Sequence, residues 1–270
     1  LERIKKFHNN TIITGCGLPS PQGAIVATVG KYFGLNAICV YPKYPDKMRD
    51  YHRINVSLAQ KVGGKVYGVG NPNPTGYAKD VRLLVESTNA FEIKFGMIGD
   101  LAMQPIIYQV QNVPECVKEI TIVSGSGLSA LSVLRGLVKY KKNNVKQVNI
   151  ITLSSFYEKN KRKHYDILRE EEKYKGIVNV VPSAYHYQRN LKYDGTLDFD
   201  ITYESKAFDW LVKNREPSKK QLFWVVGIKN YDLENIEKIN WYTSSYEHQL
   251  NNMREERALR REILKQANES

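Results

Sequence analysis

The chain has 270 residues and a mass of 31.1 kDa, with 42% hydrophobic and 11% aromatic residues. That is enough apolar material to bury a core, so intrinsic disorder and fibrous repeats are excluded. Forty Lys and Arg against 28 Asp and Glu leave a net charge of +12 and a pI near 9.4. No apolar run approaches the roughly 18 residues of a membrane span, and the opening LERIKKFHNN lacks the apolar stretch of a signal peptide. The expectation is a cytoplasmic chain without a membrane partner. Cys16, Cys39 and Cys116 are an odd set with no C-x-x-C spacing, which predicts free thiols and no metal site. The start on Leu1 rather than Met leads us to expect native residues upstream.

In chain order, short apolar runs predict strands at 11–14 (TIIT), 36–41 (NAICVY), 65–69 (KVYGV), 120–124 (ITIVS), 148–153 (VNIITL), 177–181 (IVNVV) and 221–228 (QLFWVVGI). Between them, helical patterns fall at about 21–33, 46–62, 75–89, 98–112, 129–141 and 158–174. Strands alternating with helices predict an α/β fold of mostly parallel open sheets flanked by helices, because parallel neighbours need crossovers and are covered on both faces. The expected organisation is a first lobe over 1–115, a second over 116–245 and a C-terminal helix over 246–270. The segment 183–203, rich in Tyr and Asp, reads as a long loop or irregular hairpin around Asp194-Gly195. The tail carries Glu256 and Arg260 at the favoured i,i+4 spacing, and its loose apolar stripe predicts docking on the body or on a second subunit.

Two glycine-rich turns carry the chemistry. After the strand 120–124 comes Gly125-Ser126-Gly127-Leu128-Ser129-Ala130 and then a helix. A strand, a small-residue turn and a helix N-terminus gather backbone N–H groups at the positive end of a helix dipole, which is how α/β proteins hold a phosphate. The alternative is a tight turn that needs glycine for its dihedrals and binds nothing. The same letters fit the G-x-G-x-x-A dinucleotide fingerprint, but the next strand ends in Ser154-Ser155, with no carboxylate for a ribose hydroxyl. The other turn, 14–24, runs from Thr14-Gly15-Cys16-Gly17 through Ser20-Pro21-Gln22-Gly23 at the carboxyl end of the first strand. Together the two turns would give one ligand two anchor points. Cys16 reads either as a nucleophile or as a small packing residue.

The order of these motifs resembles the pyridoxal-phosphate enzymes of the tryptophan-synthase-β type, fold type II, especially the aminocyclopropane-carboxylate deaminase and D-cysteine desulfhydrase branch. Gly15 through Ala24, then Phe33-Gly34-Leu35 and the strand to Pro42, are similar to the branch's first glycine loop and the strand that follows it. Arg53-Ile54-Asn55 through Gly63-Gly64-Lys65-Val66 is similar to its R-x-N and G-G-x-V element, and Val123 through Leu131 to its phosphate loop. Pro21 stands where that family has Asn, Leu128 where it has Gly, and Ser129 where it has Thr.

The resemblance implies a lyase or deaminase that uses pyridoxal 5'-phosphate on an amino acid, or on an amino-acid group carried by an anionic substrate such as a modified nucleic-acid base. It implies a phosphate cradle at Gly125, Ser126, Gly127 and Ser129, a substrate-carboxylate site at Ser20 and Gln22, and a Schiff-base lysine expected upstream of Leu1. Tyr185 and Tyr187 in the long loop are the acid–base candidates. The other reading is a non-catalytic descendant of the fold that binds nucleic acid or a protein partner. Eight basic residues against one acid between Lys139 and Lys163 give +7. Of these, Lys139, Lys141, Lys142, Lys159, Lys161, Arg162 and Lys163 are the candidate contacts to DNA or RNA phosphates, against the alternative of a solvated surface. The expected partners are an amino-acid-type small molecule, with nucleic acid and a homodimer as further candidates.

Overall fold

A computed structural model describes residues 2–42, 50–69, 74–97, 99–153, 174–185, 189, 191, 199–226 and 255. Among the described residues eight strands alternate with helices, and the contacts divide the chain into two units, one within Leu1–Phe95 and the other within Gly96–Asn230. Apart from Tyr174 and Glu255, the expected helix at 158–174, the turn at Asp194-Gly195 and the C-terminal helix over 246–270 lie outside the described residues.

In the first unit α1 (Glu2–Phe7) leads into β1 (Thr11–Gly15), followed by α2 (Gln22–Phe33), β2 (Asn36–Pro42), α3 (Asp50–Lys61), β3 (Lys65–Val69), α4 (Pro74–Thr88) and β4 (Phe91–Ile93). The four strands form a parallel sheet in the order β3-β2-β1-β4. All five residues of β1 are buried, as a strand covered on both faces must be. One face packs Ile12, Ala37 and Cys39 against Val26, Ala27, Val56 and Ala59 of α2 and α3. The other packs Ile13, Ile38 and Val40 against Val81 and Leu84 of α4.

The second unit holds α5 (Asp100–Gln109), β5 (Glu119–Ser124), α6 (Leu128–Lys139), β6 (Gln147–Thr152), β7 (Ile177–Pro182), α7 (Glu204–Asn214) and β8 (Gln221–Trp224). Its sheet is again parallel, in the order β7-β6-β5-β8. Ile120, Ile122, Val148 and Ile150 face Ile107, Val110, Leu134 and Leu137 of the α5–α6 layer. Val123, Ile151 and Leu153 face Ala207, with Tyr203 and Trp210 packed around them.

A row of polar side chains crosses the α7-facing side of this sheet near its amino edge. The Glu119 carboxylate accepts from Gln221 Nε2 at 3.1 Å, from Gln147 Nε2 at 3.3 Å and from Asn149 Nδ2. Asn149 Oδ1 accepts in turn from Gln147 at 2.8 Å and from Asn179 at 3.2 Å. Glu119 and Asn149 are 6% and 0% exposed, so these bonds replace the water both groups lose.

One boundary differs from the sequence expectation. The segment from Gly96 to Glu115, expected in the first lobe, belongs to the second unit, because α5 and Val110 lie against α6 at Gly136. A Cβ on Gly136 would stand 2.5 Å from Val110 Cγ2 and 3.0 Å from the Ile107 carbonyl oxygen, so only glycine admits this approach. The loop expected over 183–203 gives way to α7 at Glu204, a helix that the sequence pattern does not predict.

Gly136→Ala is therefore expected to lower unfolding stability by about 1–3 kcal/mol in urea denaturation. In an open helix the same change gains roughly 0.5–1 kcal/mol. Val110→Ala makes room for the new methyl, so the double variant is expected to lose less than the sum of the two single losses.

Candidate functional site

Because each sheet is parallel, all its strands end on one edge, and the turns that follow them gather there. At this edge of the second sheet β5 ends at Ser124, and Gly125-Ser126-Gly127 turns the chain into α6. Gly127 takes φ 95° and ψ −13°, a left-handed conformation suited to glycine, and no side chain caps the helix. The first N–H groups of a helix have no partner inside it. Here they are left to whatever lies beyond the turn. Gly125, Ser126, Leu128 and Ser129 are half-buried and Gly127 is buried.

The first turn of α7 closes on the same place. A Cβ on Gly125 would stand 3.0 Å from Tyr203 Cε1, so the phenol ring lies over the glycine turn. Glu204 is 2% exposed, and its Oε1 accepts from the backbone N–H of Val226 at 3.2 Å, just past the end of β8. Asp200 Oδ1 accepts from the backbone N–H groups of Thr202 at 2.8 Å and Tyr203 at 2.7 Å, closing a turn just before α7. Lys206 is 1% exposed, and burial pushes its amine down to about 8 against the opposing pull of the Asp200 carboxylate. The sequence analysis singled out none of Asp200, Tyr203, Glu204 or Lys206. The available signal was an Asp followed by an apolar i,i+4 pair, Ala207 and Leu211, directly after the loop.

The corresponding turn of the first unit is satisfied from within. Gln22, expected to contact substrate, is 3% exposed and donates its amide hydrogens to Thr14 Oγ1 at 2.7 Å and to the Lys94 carbonyl at 3.0 Å. Ser20 Oγ accepts from the Gln22 backbone N–H at 3.3 Å, closing a small turn. Asn55 Nδ2 donates to the Pro19 carbonyl at 2.9 Å. Beneath the turn, Cys16 and Tyr41 are fully buried, and a Cβ on Gly23 would meet Tyr41 Oη at 1.9 Å. Burial pushes the Cys16 thiol up to about 12, raises Cys39 further and holds the Tyr41 phenol well above its ordinary value.

Tyr185 donates its phenolic hydrogen to Asp209 Oδ2 at 3.1 Å and accepts from Lys213 Nζ at 3.5 Å, so α7 fixes it through Asp209 and Lys213. Tyr187 lies outside the described residues, as do Lys159, Lys161, Arg162 and Lys163. Of the described basic residues, Lys139 stands 5.5 Å from the centroid of the Tyr140 ring and Lys141 has φ 52° after α6. Lys142 Nζ turns back to the Val113 carbonyl at 2.8 Å and Glu115 at 3.0 Å.

The thiols give a direct check. Cys116 is exposed, whereas Cys16 and Cys39 are buried and protonated well above neutral pH. A thiolate-specific reagent at pH 8 is expected to titrate one thiol in the native chain and three after denaturation. Fast native labelling of Cys16 would contradict this packing.

No family model matches the chain, and no curated protein matches it. Solved structures do. An ACC deaminase homologue is 15% identical with a TM-score of 0.62, covering 82% of this chain and 74% of its own. A pyridoxal 5'-phosphate-dependent aspartate racemase is 16% identical with a TM-score of 0.61, covering 87% and 78%. The O-acetylserine dependent cystathionine beta-synthase from Helicobacter pylori is 15% identical with a TM-score of 0.59, covering 85% and 78%. A racemase and a synthase match about as well as the deaminase homologue, so no branch is singled out. What the chain shares with them is the α/β fold of the fold type II pyridoxal-phosphate enzymes.

Proposed function

We propose that the chain is a pyridoxal-phosphate enzyme of the lyase and deaminase type, acting on an amino acid or on an amino-acid group carried by an anionic substrate. The supporting observation is the uncapped N-terminus of α6 behind Gly125-Ser126-Gly127, at the carboxyl edge of a parallel sheet in this fold. The residues present suit a phosphate. The N–H groups of the turn and of the first residues of α6 would donate to its oxygens, Ser129 would add a hydroxyl, and the helix dipole would contribute about 0.3–1 kcal/mol toward an anion. Tyr203 over Gly125 leaves no room for a side chain there.

When bound, pyridoxal phosphate supplies an electron sink for chemistry at an amino-acid carbon. Toward that chemistry the second unit's glycine turn would hold the phosphate, with the Tyr203 ring packed on Gly125 beside it. Within the first unit, the Ser20 hydroxyl accepts from the Gln22 backbone N–H and closes its own turn. Gln22 supports that turn by tying it to Thr14 and Lys94.

Titration of the full chain with pyridoxal phosphate, followed by its absorbance, tests this reading. Saturable binding that inorganic phosphate reverses is expected. Ser129→Ala is expected to weaken it about tenfold, the loss of one hydrogen bond to a charged group. Gly125→Val is expected to abolish it by forcing Tyr203 off the turn. Binding that neither substitution weakens, or no binding at all, would overturn the reading.

A further inference from the structure

At the amino edge of the second sheet every strand starts behind a lysine. Lys118 precedes β5, Lys146 precedes β6, Lys220 precedes β8, and Lys175 stands two residues before β7. The backbone ladder runs on through them. The Lys118 N–H donates to the Lys220 carbonyl at 2.8 Å, and the Lys146 N–H donates to the Lys118 carbonyl at 2.7 Å. The register that pairs Glu119 with Gln147 and Gln221 therefore sets Lys118 between Lys146 and Lys220. Neighbouring strands lie about 4.8 Å apart and paired residues share a face, so these three form a straight row roughly 10 Å long.

With Glu119 on the α7 side of the sheet, the period of two puts the row on the α5–α6 side. There α6 ends at Lys139. In the turn that follows, Lys142 Nζ donates to the Val113 carbonyl at 2.8 Å and to Glu115 at 3.0 Å, which ties the end of α6 to the segment leading into Lys118. Lys139 and Lys141 thus join the same corner. All six of these lysines, Lys118, Lys139, Lys141, Lys146, Lys175 and Lys220, are exposed, and none is in an ion pair among the described residues. The neighbouring acids are engaged elsewhere. Glu115 pairs with Lys142, Glu216 pairs with Lys219 at 2.8 Å, and the Glu119 carboxylate is taken by amides on the other face.

Like charges on directly paired strand residues oppose the pairing. Lysines that serve solubility alone can be scattered over the surface and need no such row. We propose that this edge is a docking surface for the phosphate backbone of a nucleic acid, gripped without readout of its bases. Cations of one sign at even spacing suit a polymer whose charges also recur evenly. At the strand starts Ile177 is the one large apolar side chain that is exposed among the described residues, too little to insert into a membrane. The surface is separate from the activity proposed above and does not depend on it, because six-residue strands set the glycine turn about 20 Å away at the other edge.

The test titrates a fluorescent DNA duplex of about 20 base pairs with the full chain and follows its anisotropy from about 50 to 200 mM salt. The expected dissociation constant is about 1–100 μM near 100 mM salt, with a slope of log affinity against log salt of about −4. The triple variant Lys118→Gln, Lys146→Gln, Lys220→Gln is expected to bind at least about tenfold more weakly and to lose about 3 from that slope, one for each cation removed. The control triple Lys31→Gln, Lys61→Gln, Lys65→Gln removes the same charge from exposed positions of the first unit and is expected to change affinity less than about threefold. Acetylation of the unaltered chain, mapped by mass spectrometry, reads the same surface without any variant. Bound duplex is expected to shield Lys118, Lys146 and Lys220 and to leave Lys31, Lys61 and Lys65 reactive. No binding at the lowest salt, equal losses in the two triples, or shielding that spares the row would each overturn the proposal. Displacement of the duplex by polyglutamate at equal charge concentration would overturn it in favour of an acidic protein partner.

Discussion

Parallel strand pairing is the constraint on which the rest of each unit depends. Neighbouring parallel strands must be joined by a crossover, so each sheet is clad by helices and each helix starts near the edge where the preceding strand ends. In the second unit this single rule brings together residues far apart in sequence. Gly125 follows β5, Val226 follows β8, and Tyr203 to Lys206 open α7. Helix N-termini arrive with unpaired N–H groups, so the edge is electropositive before any lysine is counted.

The opposite edge serves order rather than chemistry. A parallel sheet of apolar strands can slip in register with little loss, because neighbouring residues on one face are similar in shape. Glu119, Gln147, Asn149, Asn179 and Gln221 remove that freedom, since a slip on any of the four strands would break one of these hydrogen bonds. The cost of an unpaired buried amide or carboxylate, about 1–3 kcal/mol or more, exceeds what one apolar contact can offset. Register at the amino edge then fixes where β5 ends, and with it the position of the glycine turn.

The sequence carries much of this and misses the rest for identifiable reasons. Runs such as TIIT and VNIITL, buried on both faces, mark parallel strands by composition alone, and the glycine turns mark the strand ends that matter. β4 has three residues, half-exposed or exposed, too few to show a pattern. The placement of α5 depends on Gly136 meeting Val110, a contact between residues 26 apart that no local period records. α7 follows a Tyr- and Asp-rich stretch that reads as loop, and its first turn, Glu-Ser-Lys, looks like a solvated face. Its burial comes entirely from tertiary packing. Gln22 fails in the opposite direction, since a polar residue at a helix start after a glycine loop suggests ligand, yet its amide is engaged by Thr14 and Lys94.

The two glycine turns look alike in sequence and differ in what surrounds them. In the first unit the groups beneath the turn are Cys16, Cys39 and Tyr41, all held neutral by burial, and Asn55 and Gln22 take up polar atoms of the turn or its flanks. Such a turn is rigid and uncharged. In the second unit the turn has no capping side chain, its glycine is pressed by an aromatic ring, and a buried amine and two buried carboxylates stand in the adjoining turn of α7. Bringing Asp200, Glu204 and Lys206 out of water costs several kcal/mol per ion before pairing, whereas a fold needing only packing would place apolar residues there. The uncapped N–H groups, rather than the sequence of the turn, are what suit the second turn and not the first to an anion.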